Sequence, residues 1–287
     1  MEIKQIHMNK EKDIRYAVSP SETKQMDTEA LRENFLIEEI FSPGRICLTY
    51  TLYDRYMAGG AMPVGESLSL QATDILKASY FLERRELGII NVGGAGTVEA
   101  DGVTYNLQNK EALYLGRGTQ EVRFASENSL NPAKFYLNSA PAHHAYPAKK
   151  VTREQAEVVE LGSTETSNRR TITKLLISGV IETCQLQMGM TELQSGSVWN
   201  TMPAHTHDRR MEVYLYFDVT EGQSVCHFMG QPNETRHIWM QNEQAVISPP
   251  WSIHAGAGTT NYTFIWGMAG ENLDYNDMDK CQVTELR

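Results

Sequence analysis

The chain has 287 residues, 41% of them hydrophobic, enough to bury a real core in one large or two ordinary domains. A formal charge of −10 and a pI near 5.3 exclude the basic surface that nucleic acid or an anionic membrane would require. No run approaches the roughly 18 apolar residues needed to span a bilayer.

The N-terminal stretch "MEIKQIHMNKEKDIRYAVSP" is too polar for a signal peptide. The four cysteines, Cys47, Cys184, Cys226 and Cys281, are scattered without a CxxC pair, so they read as free thiols of a cytoplasmic protein. "MDTEALRENFLIEEIF" predicts a helix: Asp27 or Thr28 caps it, acidic residues fill its first turns, and Leu31, Phe35 and Leu36 recur at helical spacing. Beyond it the texture is short apolar runs broken by Gly, Asn, Asp and Pro every eight to twelve residues or so, the pattern of a mainly β sandwich or barrel protein.

"NVGGAGTVEADGVTYNL" contains Gly94 and Gly96 but continues into strand-like residues and an Asp101-Gly102 turn, so it predicts a hairpin rather than a phosphate loop. "TREQAEVVEL", Thr152 to Leu161, reads as a short helix or a polar connector. An internal repeat spans the two sides of that connector: "FLERRELGIINV" echoes "THDRRMEVYLYF", and "NKEALYLGRG" echoes "NEQAVISPPW". Two copies of one β unit follow, residues 1–150 and 151–287. Aligning Glu83-Arg84-Arg85 with Asp208-Arg209-Arg210 sets Tyr80 and Leu82 against His205 and His207, and Leu87 near Glu212. Aligning Asn109 with Asn242 sets Glu121 against His254, so the first copy lacks the chemistry of the second.

That chemistry is concentrated in "TMPAHTHDRRMEVYLYF". Residues two apart share a face only on extended backbone, so His205 and His207 can converge on a strand. His207 to Glu212 is an odd step, so a bend at Asp208 to Arg210 must fold two antiparallel strands together before the carboxylate can join the imidazoles. "AVISPPWSIHAGAG" supplies His254 after a strand and a Pro249-Pro250 turn. Three imidazoles and a carboxylate suit Zn(II), Fe(II), Mn(II) or Ni(II). His7, His143, His144, His227 and His237 form no such set and read as surface or packing residues.

With these residues on the page, the chain resembles the cupins, whose first motif is HxH, a short spacer and Glu, and whose second carries a histidine after a Pro-containing turn. Trp251 stands where many cupins have glycine, which points to a specialised branch. A resemblance over nearly the whole chain, through "FLERRELGIINVGGAGT", "NTMPAHTH", "MGQPNETRHIWMQNEQAVISP" and "FIWGMAGENLDYNDMD", is to the 5-keto-4-deoxyuronate isomerases, also called 4-deoxy-L-threo-5-hexosulose-uronate ketol-isomerases.

That resemblance implies a jelly-roll bicupin with a few short helices. Its N-terminal barrel (1–150) would lack metal ligands, and its C-terminal barrel (151–287) would hold one zinc on His205, His207, Glu212 and His254. It further implies a homohexamer acting in pectin degradation, a ketol-isomerase that converts 5-dehydro-4-deoxy-D-glucuronate to 3-deoxy-D-glycero-2,5-hexodiulosonate. Such a reaction needs a group to move the proton, for which His237 and Tyr214 are candidates. It also needs a cation for the substrate carboxylate, for which Arg210 and, as a second choice, Arg169 and Arg170 are candidates. A 5-deoxy-glucuronate isomerase, an iron cupin dioxygenase and a non-catalytic sugar-binding bicupin are the competing readings.

Overall fold

The computed structural model describes residues 13–287; residues 1–12, most of the polar N-terminal stretch and His7 with it, lie outside the described residues. The fold is mainly β, as expected, and consists of two similar double-sheet units. In the first, a seven-stranded sheet includes Arg45–Thr51, Met57–Met62, Phe135–Pro141, Arg85–Asn91 and Ala112–Leu115, and faces a four-stranded sheet of Leu68–Ser69, Val122–Ser126, Gly96–Ala100 and Val103–Leu107. In the second, Arg170–Leu176, Gln187–Leu193, Thr263–Gly270, Arg210–Phe217 and Gln244–Ser248 run in the corresponding order, facing Trp199–Asn200, Ala255–Gly258, Val225–Gln231 and Glu234–Met240. The repeat read from the sequence is thus a repeat of strand order. Arg85 opposes Pro141 as Arg210 opposes Gly270, and Leu87 opposes Leu115 as Glu212 opposes Ser248.

The two units stack through their large sheets. Both faces of each large sheet are therefore covered, which is why "MEVYLYF" is buried along its whole length. Alternation assigns the faces. Val213 and Leu215 join a core shared with Ile90, Tyr114 and Tyr136 of the first unit, while Tyr216 turns inward to its own small sheet. Gly88 marks how closely the sheets meet, since an added Cβ there would lie 2.3 Å from the Met188 sulfur. A polar clasp crosses the same junction: the buried Glu86 carboxylate accepts backbone N–H bonds from Cys184, Gln185 and Leu186 at 2.7–2.8 Å and a 2.7 Å bond from the Tyr114 hydroxyl. Four donors are what a buried carboxylate needs to offset its desolvation.

Two local expectations change. The helix runs only from Thr28 to Phe35, capped by Asp27. The chain then turns extended, and Leu36–Ile37 pairs with Ala245 and Val246, so an N-terminal segment completes the second unit's sheet. Leu36 and Ile37 are apolar on successive positions, which a helix would leave partly wet and a sheet edge buries on both faces. The stretch Thr152 to Leu161 is neither helix nor plain connector: after a turn, Glu157–Leu161 pairs with Arg170–Leu176. The Asp101-Gly102 hairpin forms as read, with both residues at positive φ, the geometry of a two-residue turn that favours glycine at its second place. Among the described residues no helix is long and apolar enough to cross a membrane.

Candidate metal centre

Four segments deliver one side chain each to the mouth of the second unit. His205 lies on a two-residue strand, and His207 follows it with its backbone N–H donated to Pro250 O. A turn at Asp208-Arg209 then starts the strand that carries Glu212 as its third residue. His254 ends the turn after Pro249-Pro250 and stands just before Ala255–Gly258. The bend expected at Asp208 to Arg210 is present, but its first arm does not pair with its second. His205–Thr206 pairs instead with Asp279–Lys280 near the C-terminus.

All four side chains are buried, and one donor atom from each lies within 4.8 Å of the others. The Nε2 atoms of His205 and His207 are 3.1 Å apart, those of His205 and His254 2.9 Å, and Glu212 Oε1 is 2.7 Å from His207 Nε2 and 3.7 Å from His254 Nε2. Four ligands bound at about 2.0–2.1 Å around a tetrahedral cation would be about 3.3 Å from one another. The four separations of 2.7–3.7 Å bracket that value.

Tautomers agree. His207 Nδ1 is 2.6 Å from Asp277 O, and His254 Nδ1 is 3.4 Å from both Ser252 O and Ser248 Oγ, so each ring can place its N–H there and turn a lone pair inward. Burial, reinforced by the neighbouring imidazoles, pushes His205 down to about 2, and burial pushes His254 down to about 4. Both are neutral and ligand-ready at pH 7. Burial alone would raise the Glu212 carboxyl, but His254, His207 and His205 outweigh it and hold it below the usual carboxylate range. The neutral imidazoles of His205 and His254, the imidazole of His207 and the Glu212 carboxylate are a donor set that fits a divalent metal.

The remaining candidates separate. The Tyr214 ring stands edge-on to His254 at 5.4 Å with its hydroxyl 3.2 Å from Thr201 Oγ1, and burial beside Glu212 holds its pKa well above the ordinary value. Arg170 is half-buried and donates through Nη1 to Asn168 O at 2.8 Å, and burial lowers its pKa. Arg169 is exposed. Arg210 is inward, as its spacing suggested, but not available: its Nη atoms donate to Asp274 O, Tyr275 O and Asp277 O at 2.7–3.2 Å. His237 is excluded from the ring by strand parity. It sits between the buried Ile238 and Arg236 on the outer face of the small sheet and is exposed.

Two residues near the site had no part in it by sequence: His227 reads there as a surface or packing residue, and Tyr275 is not singled out. His227 is fully buried, takes a 2.8 Å hydrogen bond at Nδ1 with the Tyr216 hydroxyl, and is pushed down to about 3 by burial. Tyr275 comes from the C-terminal segment that Arg210 holds. No short-range spacing links either to the HxH motif.

Comparison with known proteins adds relatives to this geometry. A family model described as the KduI/IolB family matches residues 44–283. A protein of Formosa agariphila named 4-deoxy-L-threo-5-hexosulose-uronate ketol-isomerase is 63% identical over 280 residues, covering 98% of this chain and all of that one. A namesake in Bacteroides thetaiotaomicron is 58% identical over 96% of this chain and 98% of its own length. Among solved structures, an IolB-like protein of Salmonella typhimurium superposes with a TM-score of 0.71 at 16% identity, over 86% of this chain and 97% of that one. An oxalate decarboxylase of Lactobacillus farciminis gives 0.54 at 9% identity, over 76% and 78%. At such low identity the structures speak for the shared cupin-like fold.

Proposed function

The chain belongs to the KduI/IolB family, and from that premise we propose that it is a zinc-dependent ketol-isomerase converting 5-dehydro-4-deoxy-D-glucuronate to 3-deoxy-D-glycero-2,5-hexodiulosonate in pectin degradation. One observation carries the reading: identity with named ketol-isomerases runs through the full length, and a buried four-donor ring of metal-binding dimensions lies within it.

His205, His207, Glu212 and His254 would hold the ion. A bound non-redox dication supplies Lewis-acid stabilisation for the negative charge that develops when a carbonyl moves between neighbouring carbons. Arg170 is the cation we assign to the substrate carboxylate, because it is half-buried in the second unit and carries no carboxylate partner among the described residues. Tyr214 keeps its proton at neutral pH and offers a fixed hydroxyl, steered by Thr201, on the pocket wall. A reducing cytoplasmic setting suits the four free cysteines. The homohexamer implied by the resemblance is checked by sedimentation.

The test is turnover of freshly prepared 5-keto-4-deoxyuronate by the purified protein, before and after chelation, with metal content measured on the same samples. Activity lost with about one zinc per chain and restored by its return supports the reading. A bound metal with no turnover removes the substrate assignment.

A further inference from the structure

Residues 272–279 leave the last long strand and fold back across the metal-binding ring. They are tied down at several points. Arg209 pairs with Asp277 and Asp279 at 2.6 Å, Arg210 binds three of the segment's carbonyls, and His207 Nδ1 meets Asp277 O. The strand pairing of His205–Thr206 with Asp279–Lys280 closes the far end.

Tyr275 is the aromatic residue this strap carries. Its ring packs on Trp266 with centroids 5.2 Å apart, Lys174 Nζ lies 4.3 Å from its ring centre, and Trp266 is the registered neighbour of Tyr214. Ring and backbone are therefore fixed, and a phenylalanine would satisfy every one of these contacts. The hydroxyl serves none of them. It makes no hydrogen bond to any described residue, and the Tyr275 ring lies against Trp266, on the sheet face that also carries Tyr214 and Glu212. A phenol with an ordinary pKa of about 10 keeps its proton at neutral pH, so the hydroxyl is a donor.

We propose that Tyr275 is a catalytic residue, whose hydroxyl donates a hydrogen bond to the substrate oxygen that gains negative charge as the carbonyl moves. The inference rests on the isomerase reading above. A donor held in place before the reaction costs no reorganisation when charge develops, and a single such donor is worth about 10²- to 10³-fold in turnover.

The experiment compares Tyr275→Phe with the unaltered, metal-loaded full-length protein. Expected are a kcat lower by about 10²- to 10³-fold, a KM changed less than about threefold, and an unchanged metal content and melting temperature. A second readout is independent of turnover: calorimetric binding of an aldonohydroxamate, a planar mimic of the charged species, should weaken about tenfold or more in the variant. A kcat within about twofold of the unaltered protein overturns the role of Tyr275 while leaving the isomerase reading intact. Metal loss in the variant overturns it too, because the residue would then act through the ring's assembly. No turnover by the unaltered metal-loaded protein sinks the isomerase reading and this inference with it.

Discussion

The two double-sheet units spend the same backbone positions on opposite chemistries. Where the second unit has His207, Glu212 and Ser248, the first has Leu82, Leu87 and Leu115, all essentially fully buried in an apolar core. Glu121, which matches His254, is exposed. One position is kept in kind: Arg85, like Arg210, is buried and spends its guanidinium on backbone carbonyls, binding Arg55 O and Ser139 O at 2.8 Å. A buried guanidinium whose N–H groups cap carbonyls is a structural clasp in both units. That is why Arg210, for all its nearness to Glu212, is the wrong residue to meet a substrate carboxylate. The comparison teaches that the fold itself asks for the arginine, whereas the four-donor ring belongs to the second unit alone.

The sharpest way to break the comparison is to give the second unit the residue of the first. Glu212→Leu should remove the only anion of the ring, so that metal content falls well below one per chain. Turnover should fall by at least about 10³-fold, the several kcal/mol that metal stabilisation contributes. The fold should persist, because Leu87 occupies the equivalent register next to the same kind of strands. Mass spectrometry under native conditions and circular dichroism on one preparation check both halves. Turnover retained within tenfold would show that the ring is not the reaction centre.

Acid sharpens the contrast at smaller amplitude. His205, His227 and His254 are held neutral in the fold at about 2, about 3 and about 4, below the ordinary histidine value near 6.5. Between those values and about 6.5 the unfolded chain binds protons that the folded one does not, so stability falls as pH falls through that window. Each histidine contributes about 1.4 kcal/mol per pH unit while the difference persists. Among the described residues the first 150 positions hold only His143 and His144, both exposed. Hydrogen exchange on metal-free protein at pH 5 should therefore show the strand Val225–Gln231 losing protection before Arg85–Asn91. Equal loss in both would mean that the buried histidines do not set acid stability.

The ring residues were legible because each motif is local in itself: an HxH pair with a carboxylate five residues on, and a histidine just after a Pro-Pro turn, although 49 residues separate His205 from His254. The strand repeat was legible because short motifs recurred with the same spacing. What the sequence hid depends on distant pairing. Arg210 is committed by carbonyls 64 to 67 residues away, and Leu36–Ile37 is drawn out of its helical pattern by Ala245 and Val246. Tyr275 reaches the site only because Arg209 and Arg210 anchor a segment that carries no metal-ligand pattern. Periodicity reports which face a residue takes, but not which remote strand or strap will meet it.

The smallest effect tests that last point. His237 resembled a candidate base because it is a histidine among strand residues of the half that carries the four-donor ring, yet alternation puts it outside. Ile238 and Met240 fill the interior, while His237 and Trp239 face out. His237→Ala should therefore shift stability by no more than about 0.5 kcal/mol and leave turnover within about twofold, the range of an exposed substitution away from any site. It also sets the scale for the other tests. If this outward histidine proved to matter as much as Glu212 or Tyr275, parity along the strand would no longer decide which residues reach the reaction, and the assignment of Tyr275 would lose its contrast with the outer face.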